Sequence, residues 1–408
     1  MMSIAEHSAI DSRVAWWRLV ATLAMSTLGS VGMWSVVVAL PAVQADFGVA
    51  RGAASLPYTM TMIGFGFGGI LMGRLTDRYG VGLPVAGATV ALALGYTLAA
   101  LAPTLLLYAL AQGVLIGGLG SSATFGPLLA DISHWFEKRR GLAVAIVACG
   151  NYLAGTIWPP IVEFLIGAIG WRHTHLVIGL VCLVTMLPLT LALRQRPPPG
   201  HAAASAAYIL RQPAYAGLSP RALQGLLVLA GLSCCVAMSM PQVHIVAYCG
   251  DLGYGLAAGA RMLSLMLGFG MVSRLASGWI ADKIGGLRTL LLGSVLQGIA
   301  LLLYLPSDGL ATLYVVSALF GLFQGGIVPS YAIIVREMFP PQEAGGRVGL
   351  VVMATVFGMA LGGWMSGAAF DLTGSYRAAF LNGIAWNLLN VSIVLWLLRR
   401  PRARLASA

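Results

Sequence analysis

Arg274 offers the most chemistry in this chain, because it is the only Lys or Arg away from the ends of an apolar run, just past the middle of 262–281. A guanidinium at that depth in lipid costs about 2.5–3.5 kcal/mol on insertion scales and is retained where it faces a cavity or a partner. Its planar fork grips a carboxylate through two parallel hydrogen bonds, and a low dielectric strengthens that contact. The expected role of Arg274 is therefore to bind the head of a small organic anion. Ser121, Asn151, Tyr152, Gln324, Tyr331 and Asn387 lie at comparable depth and are expected to line one cavity with it. Each alone is weak, since such groups also bridge helices in lipid for about 0.6 kcal/mol apiece. None of the acids is central to an apolar run. Glu163 and His244, near the outer ends of their runs, are the candidates to carry a proton, and each reads equally as an interfacial side chain.

Elements that position such groups must be membrane helices. Hydrophobic residues make up 59% of the 408 and charged residues 9%, against about 25% charged in soluble domains. Apolar windows fall at 17–40, 56–75, 81–101, 105–130, 141–166 and 175–193, then at 222–248, 262–281, 289–305, 310–335, 348–370 and 378–398. Twelve such windows, each near the roughly 20 residues that cross a bilayer, predict an all-α membrane protein. The net charge of +11 needs no nucleic acid as partner. With both termini in the cytoplasm, nearly all Lys and Arg fall inside; only Arg51, Arg172, Arg261 and Arg377 fall outside, which fixes the expected orientation. No cleavage signature precedes the first window, so that helix is expected to stay. The five cysteines have no metal-ligand spacing and predict no structural disulfide.

The chain repeats itself. Gly73-Arg74-Leu75-Thr76-Asp77-Arg78-Tyr79-Gly80 returns as Gly278-Trp279-Ile280-Ala281-Asp282-Lys283-Ile284-Gly285, at an offset of 205. Gly117-Gly118 pairs with Gly325-Gly326, and Gly150 with Gly358, at an offset of 208. These divide the chain into a six-helix bundle over 1–193, a linker over 194–221 with a short surface helix at 202–210, and a second bundle over 222–408. Parallel repeats of this kind build transporters that bind substrate near the midplane and work by rocking one repeat against the other. Small-xxx-small faces, such as Gly64, Gly68, Gly69 and Gly73 or Gly358, Gly362, Gly363 and Gly367, suit close helix packing. Trp158-Pro159-Pro160 predicts a break in the fifth helix where a gate can bend. Asp77 with Arg78 and Asp282 with Lys283 are expected to latch one conformation through a helix end and a carboxylate partner.

The motif Gly73-x-x-x-Asp77-Arg78-x-Gly80 and its second copy resemble the loop motif of the major facilitator superfamily, which implies that fold over nearly the whole chain. Val81-Gly82-Leu83 stands where the family usually has a basic pair. Trp135-Phe136-Glu137-Lys138-Arg139-Arg140-Gly141-Leu142-Ala143, followed by Gly150 and Gly155, resembles the monocarboxylate transporters and their bacterial relatives. Val243 to Tyr248 and Asp371 to Arg377 are similar to the same group. The resemblance implies small organic anions as substrates, an arginine like Arg274 as a substrate ligand, and a place in a plasma membrane, the inner membrane of a bacterium. Many members carry an acid where this chain has Gly270, and the usual signature before the first helix is absent from 11–18.

The reading that follows is a monomeric secondary carrier of small organic anions, monocarboxylates first, working by alternating access with protons as the candidate symported ion. A multidrug or other solute exporter of the same fold is the alternative, disfavoured because no carboxylate is central. A membrane enzyme or sensor is remote. Asp131 and His134 lie at a helix end without catalytic partners at recognisable spacing, and no stretch outside the windows has the length of a signalling domain. No phosphate-cradling loop and no cofactor motif is present, so energy must come from gradients.

Overall fold

The computed structural model describes residues 10–195 and 218–400. The linker expectation at 194–221, with its surface helix, falls almost wholly outside them. Among the described residues the chain is helical and forms eleven apolar runs long enough to cross a membrane. These are α1 (Arg13–Phe47), α2 (Arg51–Tyr79), α3 (Gly82–Leu101), α4 (Leu105–Ile132), a 54-residue run Arg140–Leu193, α7 (Pro220–Asp251), α8 (Leu256–Ile284), α9 (Gly286–Tyr304), α10 (Leu310–Met338), α11 (Glu343–Thr373) and α12 (Tyr376–Arg399).

A straight helix of 54 residues would be about 80 Å long, more than twice a hydrocarbon core of about 30 Å. The run is broken at Gly170, whose φ of 78° and ψ of 159° leave the helical region. A side chain is strained at that φ, so the glycine makes the reversal possible. The run is thus two spans, α5 over 140–169 and α6 over 171–193, and the described residues hold twelve. Pro159 and Pro160 do not break α5, whose dihedrals stay helical up to Gly170. Missing proline N–H groups are tolerated in membrane helices where neighbouring groups and local adjustments absorb the loss. Trp158 helps by donating its indole N–H to the Thr27 carbonyl of α1 at 3.2 Å.

Local signals set the helix ends. Ser12, Thr104 and Ser219 accept from the backbone N–H three residues on, capping α1, α4 and α7. Gly48 and Gly374 close α1 and α11 in the left-handed region. Two helices are irregular where the repeat places paired glycines. In α4, wide i→i+5 turns over Ala111–Gly120 lead into a tight turn at Ser121–Thr124, and α10 is interrupted between Gln324 and Ile327. Such wide turns occur mostly at functional sites.

The chain divides into two compact units, one of Met1–Ala202 with Gly255–Ser264 and one of Ala203–Tyr254 with Leu265–Ala408. In the first, a methyl on Gly64 or Gly68 would overlap the carbonyl oxygens of Gly113 and Gly118, so α2 and α4 touch backbone to backbone. In the second, Gly321 and Gly325 of α10 meet the Met266 and Gly270 carbonyls of α8, and Gly358 and Gly362 of α11 meet those of Leu232 and Val236 on α7. Close approach through small residues replaces the hydrophobic driving force that lipid removes. Gly69 and Gly73 face open space instead.

Candidate functional site

Arg274 lies on α8 about 27 Å along the helix from Leu256 and about 15 Å from Ile284, at 1.5 Å per residue. That is near the middle of a hydrocarbon core. It is half-buried. The turns around it are built for proximity to α10: Gly270 lies against Gly325, and a methyl on Gly326 would overlap the Ser277 hydroxyl. That hydroxyl donates to the Ser273 carbonyl at 2.5 Å, keeping it out of the way. On α10, immediately before the interruption, Gln324 is fully buried, and among the described residues neither its amide nitrogen nor its oxygen has a hydrogen-bond partner. An amide left so costs about 1–3 kcal/mol per unsatisfied group.

Tyr331 and Asn387 belong to a different place. They join a buried network among α7, α9, α10 and α12 inside the C-terminal unit. Asn390 donates its amide to the Tyr331 hydroxyl at 2.9 Å and the Ala230 carbonyl at 3.1 Å, and Ser294 donates to Asn390 at 3.2 Å. Asn387 donates to the Ser294 carbonyl and to Gln297, which in turn donates to the Cys234 carbonyl. A network this well satisfied fixes helix register. Ser330 turns back on its own helix, donating to Gly326.

In the N-terminal unit Asn151 and Ser121 bridge helices. The Trp34 indole N–H of α1 lies 3.1 Å from both the Asn151 carbonyl and its side-chain oxygen, and Ser121 donates to the Gly29 carbonyl at 2.8 Å, where α1 is interrupted at Ser30. Tyr152 is buried on α5. Glu163 is half-buried, and among the described residues its carboxylate makes no ion pair. His244 is fully buried on α7. Its Nε2 lies 2.8 Å from the Gly363 carbonyl and its Nδ1 3.0 Å from the Tyr376 hydroxyl. A carbonyl only accepts, so Nε2 carries the hydrogen and Tyr376 can donate to Nδ1. Asp77, Arg78, Asp282 and Lys283 are all exposed. Among the described residues neither aspartate forms an ion pair; Lys283 instead sits 3.7 Å above the Trp279 ring, and Arg78 5.2 Å from that of Tyr79.

Two clusters escaped sequence reasoning. Arg18, expected only as a cation on the cytoplasmic side, is buried in α1 and forms a two-pronged ion pair with Asp131 of α4, both contacts at 2.9 Å. The guanidinium also donates to the Ala192 and Leu193 carbonyls at the end of α6 and lies 4.4 Å from the Trp135 ring. Asp131 is thus the anchor of a three-helix clamp. The second cluster joins Tyr108 and Gln112 of α4, Tyr96 of α3 and His175 of α6, all fully buried. The signal for it was in the sequence, since an aligned second half shows apolar residues at three of those places.

Twelve apolar helices with an internal repeat, buried polar networks and a mid-membrane arginine define a membrane carrier. The chain matches the model of the Major Facilitator Superfamily over residues 22–312 and 275–407 and belongs to that family. It is similar to monocarboxylate transporter 13 of Bos taurus, 29% identical over 339 residues that cover 81% of this chain and 77% of the relative. Monocarboxylate transporter 11 of Mus musculus is 30% identical over 326 residues, 75% of this chain and 70% of that protein. Two solved structures share the fold. A bacterial homologue of the human lysosomal transporter Spinster superposes with a TM-score of 0.70 at 14% identity, covering 96% of this chain and 99% of that one. The nucleoside transporter NupG gives 0.71 at 13%, covering 93% and 100%. The protein is a multi-pass membrane transporter and not an enzyme.

Proposed function

We propose that the protein is a secondary carrier of small organic anions, monocarboxylates first, that works by alternating access. The observation that carries the reading is Arg274, a cation held near mid-membrane on the helix that packs through glycine on α10. The similarity to two monocarboxylate transporters supports the anionic class. Gln324, with both amide atoms available in the same unit, is the second ligand we assign. Ser121, Asn151 and Tyr152 are assigned to helix packing within the N-terminal unit, and Tyr331 and Asn387 within the C-terminal unit, a role supported by their hydrogen bonds and burial. We assign proton linkage to this carrier with His244 and Glu163 as candidate carriers, on their titratable chemistry alone. Asp77 with Arg78 and Asp282 with Lys283 are assigned to hold one conformation, supported by their recurrence in both halves. The distribution of Lys and Arg supports cytoplasmic termini in a plasma membrane, the inner membrane in a bacterial cell, and the carrier is taken as a monomer.

Arg274→Lys tests the assignment. A point charge cannot reproduce a two-pronged grip, so carboxylate uptake into liposomes should fall roughly 10- to 100-fold, in line with the loss of a charge-assisted hydrogen bond worth about 1.5–3 kcal/mol. Wild-type uptake by a correctly inserted Arg274→Lys protein would remove the role.

A further inference from the structure

Around Tyr96 in the N-terminal unit, His175 has a chain of hydrogen bonds with a defined direction. Its Nδ1 lies 2.8 Å from the Trp171 carbonyl, which can only accept, so Nδ1 carries a hydrogen. The Tyr108 hydroxyl then donates to Nε2 at 3.1 Å, and the Gln112 amide nitrogen donates to the Tyr108 oxygen at 3.1 Å. Gln112 Oε1 is left buried and, among the described residues, without a donor. Gln112 sits in the wide-turned part of α4. His175 is five residues beyond the Gly170 reversal, about 7.5 Å along α6.

The second half of the chain is an internal control. At the offset of 208 that pairs Gly117-Gly118 with Gly325-Gly326, Tyr96 corresponds to Tyr304, Tyr108 to Val316 and Gln112 to Phe320. At the offset of 205 that pairs Trp171-Arg172 with Tyr376-Arg377, His175 corresponds to Phe380. There Tyr304 stacks on Phe380 at 4.9 Å and meets Phe320 edge-on at 6.1 Å. Apolar side chains therefore fill this place in the repeat, and packing does not demand the polar trio. Keeping it leaves an amide oxygen unsatisfied at a cost of about 1–3 kcal/mol.

We propose that His175 is a proton-binding site of the carrier, with Tyr108 and Gln112 as its positioning residues. A proton adds to Nε2 and turns it from acceptor to donor. The Tyr108 oxygen accepts that N–H, and its own O–H turns to the Gln112 carbonyl oxygen once the amide rotates. The three bonds through Nδ1, Nε2 and the Tyr108 oxygen are replaced by three, the 3.5 Å contact of the Gln112 amide nitrogen with Nε2 is given up, and the net change is one proton and one positive charge. The titratable groups facing the ring are Tyr96 on α3 and Tyr108 on α4, with Cys182 further along α6 beside Tyr96. The full charge that acts on the ring is Arg172, on the preceding turn, which pairs with Asp46 of α1 at 2.9 Å. Among the described residues no carboxylate is paired with His175, so holding the imidazolium in the empty carrier costs several kcal/mol. In a coupled carrier the state that anion loading favours is the one in which that cost is lower. Proton and anion loading then favour each other reciprocally, which is the coupling a symporter needs. The inference rests on the anion-carrier reading.

The test uses the full-length protein in liposomes with L-lactate and pyruvate as probes, comparing gradient-driven accumulation with exchange at equal pH. Wild type should do both. His175→Phe, which copies the second half, should keep exchange within about twofold and lose roughly tenfold or more in accumulation, and Tyr108→Phe should move the same way. Wild-type accumulation by His175→Phe overturns the inference and leaves the anion carrier standing. Parallel loss of exchange and accumulation in both variants makes the cluster structural and overturns it too. Wild-type uptake indifferent to the gradient ends proton linkage and this site with it, whereas failure of wild type to move either probe, with the other small carboxylates also unmoved, ends the anion reading as well.

Discussion

Removing Arg18 should destabilise the N-terminal unit more than any surface ion pair can. Its side chain and that of Asp131 are only 2% and 4% exposed, and both oxygens of the carboxylate are held at 2.9 Å. Arg18→Ala strands a buried carboxylate and frees the Ala192 and Leu193 carbonyls at once. Breaking one side of a buried pair costs about 3–5 kcal/mol, whereas replacing both sides by apolar groups of similar volume is often neutral or stabilising. Arg18→Ala and Asp131→Ala should each therefore lower the unfolding constant's resistance by two to three and a half powers of ten, at about 1.4 kcal/mol per decade. Arg18→Met combined with Asp131→Leu should recover most of it. The assay is reversible unfolding in mixed micelles with increasing dodecyl sulfate. The molecule supplies its own control in Arg172 with Asp46, whose side chains are 37% and 42% exposed. Asp46→Asn should cost no more than about 1 kcal/mol. If the Arg18 and Asp131 singles cost no more than Asp46→Asn, or the double variant is as poor as the singles, the clamp argument fails.

Three further outcomes follow from the packing. Gly325→Leu drives a side chain into the Gly270 carbonyl and should abolish expression of folded protein, while Gly73→Leu, at a position with open space, should leave the fluorescence size-exclusion profile unchanged. Asn390→Leu removes the donor to Tyr331 and Ala230 and should cost about 1–3 kcal/mol in the same micelle assay. Gln324→Ile, which copies Ile116 of the first half, should raise the thermal midpoint in detergent by removing an unsatisfied amide while weakening carboxylate uptake; a lowered midpoint would show that Gln324 is held by the fold.

Much of the architecture was legible because lipid enforces a simple rule: every backbone group must be satisfied within its own helix, so apolar length reads directly as a span. Arg274 stood out for the same reason, as a charge where charge is expensive. Legibility ended where partners come from distant sequence. Arg18 lies at the very start of the first apolar window, and only the extension of α1 back to Arg13 and the arrival of Asp131, 113 residues away, make it a buried ion-pair member. Pro159-Pro160 looked like a hinge because proline removes N–H donors; the reversal came instead from the dihedral freedom of Gly170. Tyr331 and Asn387 share polarity and depth with a cavity lining, yet depth does not say which face of a helix a residue occupies, and both point into the C-terminal unit's own network. His175 fell at the first position of the sixth window, where a histidine reads as interfacial. Its partners Tyr108 and Gln112 are four residues apart and share a face of α4, but that this face meets α6 is not written in the local sequence.

The most direct test of the anion-carrier account is uptake of labelled small carboxylates, including L-lactate, pyruvate and propionate, into liposomes containing the purified protein, with and without an inward proton gradient. The account predicts saturable uptake of at least one of them, stimulated by the gradient and lost in Arg274→Lys. No saturable uptake of any carboxylate by correctly inserted protein would contradict it.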